Sequence, residues 1–244
     1  MISGLYSAAT AMQVADMRHV ATAENLANVQ VPGFRRRIIP QSSFDTMLQM
    51  NSQRDLLKSV NLGTVARPVE YSFEFGHLSQ TDRPMDVAIE GDGFFTVDGP
   101  FGPLYTRNGS FHVTPDRELV TIDRLPVMGV AGPIVLPADA NTERVRITSD
   151  GRLMADGVEF GQFNLVRFDN VDQLTSRGAS LFEAPPTAGQ QPSTATLLQG
   201  SLELSNASTV EEMVNMIATT RQYEAAQRAM NSIAEAIQKR IGLR

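Results

Sequence analysis

The chain has 244 residues, 42% hydrophobic and 20% charged, with a formal net charge of -6 and no cysteine. Such a composition supports a packed core and excludes a chain disordered throughout. Mild acidity argues against a nucleic-acid partner, which needs clustered cations, and the lack of cysteine excludes disulfides, zinc–thiolate sites and thiol nucleophiles.

At the N-terminus the first basic residue is Arg18, and Gln13 and Asp16 interrupt the apolar stretch before it. A cleavable secretory leader is therefore not expected. Membrane insertion is not expected either, because no run approaches the roughly 20 apolar residues of a span. From Ile2 to Asn28 there is no proline and no glycine after Gly4. Leu5, Ala9, Met12, His19, Ala23 and Leu26 fall near heptad spacing, with Asp16 the odd member, and predict a helix with one seam. Val31-Pro32-Gly33 ends the pattern. The Arg35-Arg36-Arg37 triplet, the only basic run, reads as a solvated loop. Phe44, Met47, Leu48 and Leu57 suit a short helix in an extended connector over residues 35–75.

From 76 to 200, short apolar stretches alternate with turn signals. Asp92-Gly93, Asp98-Gly99, Asn108-Gly109, Asp150-Gly151 and Asp156-Gly157 are candidate turns, because Asn, Asp and Gly tolerate positive φ. Met85 to Ile89, Phe94 to Val97, Val145 to Thr148 and Phe163 to Phe168 suit strands of a mainly antiparallel domain. Ala184 to Thr196, rich in Pro, Gly, Gln, Ser and Thr, reads as a loop.

Ser208 and Glu211 have capping-box spacing at the start of a second helix. Met213, Met216, Thr220, Tyr223, Gln227, Met230, Ala234, Ile237 and Ile241 then recur in steps of three and four, a coiled-coil seam, and Gly242 follows as a stop. Val210, Val214, Ile217, Ala225 and Ile233 form a second apolar stripe beside it. The fold class that follows is α+β. Residues 1–34 and 201–244 supply long helices of a coiled-coil-like inner domain, and residues 76–200 form a central β domain. Burying about eight apolar side chains at ~1.5 kcal/mol each yields about 12 kcal/mol, against roughly 4–15 kcal/mol lost on association. One seam is marginal, whereas the same seam repeated in a helical array suffices. The alternative is that both stripes pack on the chain's own central domain.

Three ordered blocks resemble a known family. Glu24-Asn25-Leu26-Ala27-Asn28 followed by Gly33-Phe34-Arg35 is similar to the N-terminal signature of the flagellar axial proteins, with Glu24 in place of the usual Asn and Gln30-Val31 in place of a small polar pair. Asp86 to Phe95 and Tyr105 to Phe111 resemble two central blocks. Gln199 to Asn206, Glu211-Glu212-Met213 and Arg221 to Glu224 resemble the C-terminal one. Where the family has glycine in the turns after Tyr105-Thr106-Arg107, this chain has Arg117-Glu118 and Asp123-Arg124. The chain has no room for the outer domains of hook proteins and is similar to the basal-body rod subunits. Ala131 to Pro137 and the short middle resemble the proximal rod subunit, which is favoured; Glu211 to Ile217 resembles the distal one.

The resemblance implies a structural subunit that polymerises into the torque-transmitting rod, in the periplasmic part of the flagellar basal body. Its partners would be other copies, other rod subunits and the flagellar type III export apparatus, which accepts subunits without a cleavable signal. No small-molecule substrate, nucleic acid or cofactor is implied. The expected assembly interface is Leu5, Met12, Leu26, Asn28, Met213, Ile217, Tyr223, Met230 and Ile237.

A catalytic or metal site is not expected. His19, His77 and His112 lack ligand partners at helical or hairpin spacing. The densest carboxylate group, Asp82, Asp86, Glu90 and Asp92, reads as a solvated strand face. Gly91-Asp92-Gly93 lacks the helix a phosphate loop needs. Met213, Met216 and Met230 suit adaptable packing between non-identical neighbours. In a different class stands a coiled-coil-oligomerised extracellular binding module, which one stripe per helix would serve where this chain has two.

Overall fold

The computed structural model describes residues 2–43, 64–66 and 69–242. The chain is α+β, with two helices and a mainly antiparallel β domain among those residues. The short helix expected around Phe44, Met47, Leu48 and Leu57 lies outside the described residues. The fold separates into two compact units, one of residues 1–27, 37–72 and 208–244, the other of residues 28–36 and 73–207.

In the first unit the N-terminal helix spans Ile2–Ala27 and the C-terminal helix Thr209–Gly242. At about 1.5 Å per residue, the 34-residue C-terminal helix is about 50 Å long. Its first turn carries Glu211 and Glu212, which complement the positive end of the helix dipole. The two helices pack on each other. A Cβ on Gly4 would sit 3.4 Å from Ile233 Cδ1, Arg18 Nη1 donates to Gln222 Oε1 at 3.3 Å, and His19 Nδ1 lies 3.4 Å from Thr219 Oγ1. Because the partner number falls as the N-terminal number rises, the helices run antiparallel.

The buried line on the N-terminal helix is Ala8, Ala15 and Thr22, flanked by Val14, Ala21 and Asn25. That line lies three positions along from the predicted Leu5–Met12–His19–Leu26 seam, whose members are half-buried. Small residues at heptad spacing let a neighbour approach closely, so side-chain size selects the innermost positions. Two short antiparallel pairs, Arg37–Ile38 with Glu70–Tyr71 and Gln41–Ser43 with Thr64–Ala66, complete the unit.

The second unit is built on a six-stranded antiparallel sheet. Its spatial order is Thr175–Ser176, Leu181–Glu183, Gly102–Thr106, Phe94–Gly99, Leu165–Phe168, Gln190–Pro192. Successive strand residues face opposite sides. Phe95 therefore enters the main core with Phe111 at 5.0 Å and Phe163 at 5.3 Å, joined by Val87, Val97, Leu119, Val127 and Leu153. Phe94 enters a second cluster with Phe73, Phe168 and Phe182 on the other side. Val87–Glu90 pairs with Thr196–Gln199, and Leu78–Gln80 pairs with Ser201–Glu203, so the start and end of the unit are tied together.

Asp156 and Gly157 both have positive φ and join paired Ala155 and Val158, a mirror-type hairpin turn as expected. The Asp98-Gly99 turn is displaced by two residues: Gly99 pairs with Gly102, and Pro100-Phe101 makes the loop. Part of the expected loop from Ala184 to Thr196 is instead a strand, Gln190–Pro192, recruited to the sheet edge by Leu165–Phe168. Arg117 and Arg124 adopt φ of 69° and 61°, so the turns resembling glycine turns keep left-handed geometry without glycine. Arg117 is held there by its guanidinium, which donates to the Pro137 and Ala140 carbonyls. Exposed Arg124 has no such support. Arg124→Gly is expected to stabilise the β unit by about 0.5–1 kcal/mol, the relief of left-handed strain exceeding glycine's added unfolded-state entropy. Thermal unfolding of the full chain followed by circular dichroism measures it.

Candidate functional site

The family blocks that are far apart in sequence meet inside the β unit. Glu203, on the strand Ser201–Glu203, accepts from Arg35 Nη2 at 2.8 Å through Oε1 and from Arg107 Nε at 2.9 Å through Oε2. The Gly76 amide adds a bond to Oε1 at 2.8 Å, so the carboxylate is well satisfied. All three charged residues are only 2% exposed. Arg35 was expected in a solvated loop; it is among the most buried side chains instead, because its charge is matched here and its Nη1 caps the Glu74 carbonyl at 3.1 Å.

Arg107 is equally enclosed. Its Nη1 donates to the Gly91 and Gly93 carbonyls at 2.8 and 2.6 Å, which gives the Gly91-Asp92-Gly93 turn a structural task. Phe75 and Phe94 lie 5.1 and 5.9 Å from its guanidinium carbon, within cation–π range. Burial pulls the Arg107 pKa below its ordinary value; the Glu203 charge opposes that shift and neighbouring Arg35 adds to it. One anion thus serves two buried cations, and Arg107 Nη2 and Arg35 Nε have no hydrogen-bond partner.

Backbone close approach fixes this arrangement. The Gly33 amide donates to the Glu203 carbonyl at 2.8 Å, and a Cβ on Gly33 would fall 2.4 Å from the Asn108 nitrogen. The Arg36 amide donates to Asn206 Oδ1 at 2.8 Å while Asn206 Nδ2 donates to the Glu74 carbonyl at 3.0 Å. In the helical unit Asn25 acts likewise: its amide group exchanges two bonds, at 2.8 and 2.9 Å, with the Arg37 backbone, and Glu24 pairs with the Arg37 side chain.

Beside the ion cluster is a cavity of about 240 Å³ lined by Phe73, Phe75, Phe94 and Phe168 and by the guanidinium-bearing Arg35, Arg107 and Arg167. Asp92 is the one carboxylate in that lining. An aromatic slot with guanidinium faces can seat an apolar or aromatic group; it offers no paired acid and base. Asp86, expected on a solvated strand face, is fully buried, with Arg83 at 3.5 Å, because its strand lies in the core.

Of the expected interface residues, Leu5, Met12, Leu26 and Asn28 are half-buried, as are Met230 and Ile237. Met213, Ile217 and Tyr223 are exposed. Met213 and Ile217 join Val210 and Val214 in one uncovered apolar stripe at steps of three and four, the helical spacing of a single face. Ile233, placed in that second stripe by spacing, is half-buried against the N-terminal helix. Sequence reading missed the Arg35–Glu203–Arg107 cluster, although a lone charge inside Leu202-Glu203-Leu204 was a usable sign of it.

The comparisons with known proteins agree with these blocks. Residues 88–155 match the flagellar hook protein FlgE/F/G D1 domain, and residues 198–243 match the flagellar basal body rod FlgEFG protein C-terminal family. Flagellar basal-body rod protein FlgG of Buchnera aphidicola subsp. Schizaphis graminum is 34% identical over 258 residues, covering 98% of each chain. Flagellar basal-body rod protein FlgF of Escherichia coli is 31% identical over 250 residues, 96% of this chain and 94% of that protein. FlgF of Rhizobium meliloti is 30% identical over 250 residues, 99% and 97%. The class is that of flagellar structural proteins, not enzymes. Within it the chain belongs to the flagellar basal-body rod protein family, as a structural subunit.

Removing one partner of a buried pair strands the others. Glu203→Gln is expected to cost about 3–5 kcal/mol by leaving two buried guanidinium groups uncompensated, while Glu183→Gln, in the exposed pair with Arg177, costs under about 1 kcal/mol. Urea unfolding of the two variants checks the contrast.

Proposed function

We propose that the chain is a subunit of the flagellar rod that polymerises through its terminal helices into the helical shaft transmitting torque from motor to hook. The carrying observation is the uncovered stripe of Val210, Met213, Val214 and Ile217, 73%, 50%, 59% and 56% exposed. Four large apolar side chains on one helical face, with Tyr6, Met17 and Val20 exposed on the other helix, exceed what a lone chain leaves to water without a use. Neighbouring subunits are the occupants, and a coiled-coil-like inner domain is the arrangement they complete. Leu5, Met12, Leu26, Asn28, Tyr223, Met230 and Ile237 complete the interface in this reading. Met230 and Ile237, being half-buried, bear on helix pairing as well as on assembly.

The subunit reaches the periplasmic rod through the flagellar type III export apparatus. An absence of cysteine and helical ends that gain most of their packing on assembly suit a chain threaded through a narrow channel. A proximal position in the rod is favoured by the short middle and the Ala131 to Pro137 segment. A distal position is the second reading, supported by the 34% identity to a FlgG protein.

Ile217→Glu or Val214→Glu places a charge in the stripe. Each is expected to abolish swimming, with helix content of the purified chain unchanged by circular dichroism; normal motility with both would refute the stripe as an interface. Restoration of motility in a strain lacking its proximal subunit, and not in one lacking its distal subunit, is expected for a proximal position; the reverse result assigns the distal one.

A further inference from the structure

The hairpin of Phe94–Gly99 and Gly102–Thr106 carries unlike features at its two ends. At the base are Phe94 and, just past the second strand, Arg107, both in the wall of the aromatic cavity. At the tip is Phe101, 102% exposed, the most exposed large apolar residue among those described. A Cβ on the adjacent Gly102 would meet nothing within 4 Å, so the tip stands clear of the rest of the chain. Five strand residues at about 3.3 Å each separate the two ends by about 17 Å.

We infer that Phe101 of one copy inserts into the Phe75–Phe94–Phe168 cavity of the next, a head-to-tail contact between β units. Size permits it, since an apolar cavity of about 150 Å³ holds a benzene ring and this one has about 240 Å³. Chemistry favours it as well. The cavity wall presents aromatic side chains and the exposed Arg167, whose guanidinium can meet the electron-rich face of a ring. Charge agrees: exposed Asp98 flanks the tip and exposed Arg167 flanks the cavity. Knob and hole sit at opposite ends of one hairpin, so two copies can exchange the contact across a two-fold axis or pass it head to tail; the head-to-tail form is the one inferred, and its repetition produces a ring or an open helical array. The inference rests on the proposed function in that it supplies a second, β-unit contact for the same assembly.

The test uses the full chain, whose lack of cysteine leaves only introduced thiols to react. Purified Pro100→Cys chains, which keep Phe101, are mixed with Val171→Cys chains, Val171 being at the cavity wall, and treated with a short bismaleimide. Expected is heterodimer enriched at least about tenfold over a mixture of Val158→Cys with Val171→Cys, both pairs exposing a thiol but one pair held close by the contact. A chain bearing Pro100→Cys and Val171→Cys together, with Phe101 kept, should give a ladder of multimers, and dimers alone overturn the head-to-tail form. Equal yields in the two mixtures, or no linkage, overturn the inference. Phe101→Glu in place of the wild-type tip, added as a competitor, should not reduce linkage, whereas unlabelled wild type and Phe101→Trp should; equal competition by Phe101→Glu also overturns it. The outcome is separable from that of the helical stripe. Absent linkage with a paralysed Ile217→Glu strain removes the hairpin contact and keeps the rod reading, and linkage with a swimming Ile217→Glu strain does the opposite.

Discussion

Glu203 is the point on which the β unit turns. Its carboxylate is shared by two guanidinium groups that come from residues 35 and 107, and its own strand pairs with Leu78–Gln80. Buried charge is tolerated only where partners and hydrogen bonds replace water: here two guanidinium groups and an amide nitrogen meet the carboxylate, and two glycine carbonyls accept from Arg107 Nη1. The consequence is topological. The segment that follows the N-terminal helix, the end of the central hairpin and the segment that leads toward the C-terminal helix are bound to one side chain.

Close backbone approach makes the lock specific. Gly33 admits the Asn108 backbone, Gly76 lies against the Leu204 carbonyl, and Gly109 lies against the Val87 carbonyl, with added Cβ atoms 2.4, 1.9 and 1.7 Å from those neighbours. Each glycine belongs to a segment that also supplies or supports a member of the ion cluster. The short motifs by which the family is recognised are therefore motifs of packing, and their glycines and charges act as one set.

Periodicity made both helices legible, since proline-free runs with three- and four-residue apolar spacing have few alternatives. The N-terminal helix ends at Ala27 and the C-terminal helix at Gly242, close to the expected limits. Which face turns inward was not legible to the same degree. Ala8, Ala15 and Thr22 are buried in preference to Leu5, Met12 and Leu26 because close packing rewards small size as much as hydrophobicity. Strands centred on Phe94–Gly99 and Leu165–Phe168 followed from apolar runs, whereas Gln190–Pro192 did not, because an edge strand is specified by its neighbour's free hydrogen bonds and not by its own composition. The cluster of Arg35, Arg107 and Glu203 was hidden for a related reason: a charged residue in a sequence reads as exposed until its partner, 168 positions away in one case, is placed beside it.

By itself the amino-acid sequence determined the α+β class, two long helices with an antiparallel domain between them, and membership of a structural flagellar family, because local periodicity and short ordered motifs are carried by neighbouring residues. Tertiary structure alone decided which apolar stripe stays uncovered, that three distant motifs share one buried carboxylate, and that a lone phenylalanine and an aromatic cavity occupy opposite ends of a hairpin. Those are statements about which surfaces meet, and burial and charge pairing are set by contacts between segments that no local pattern encodes.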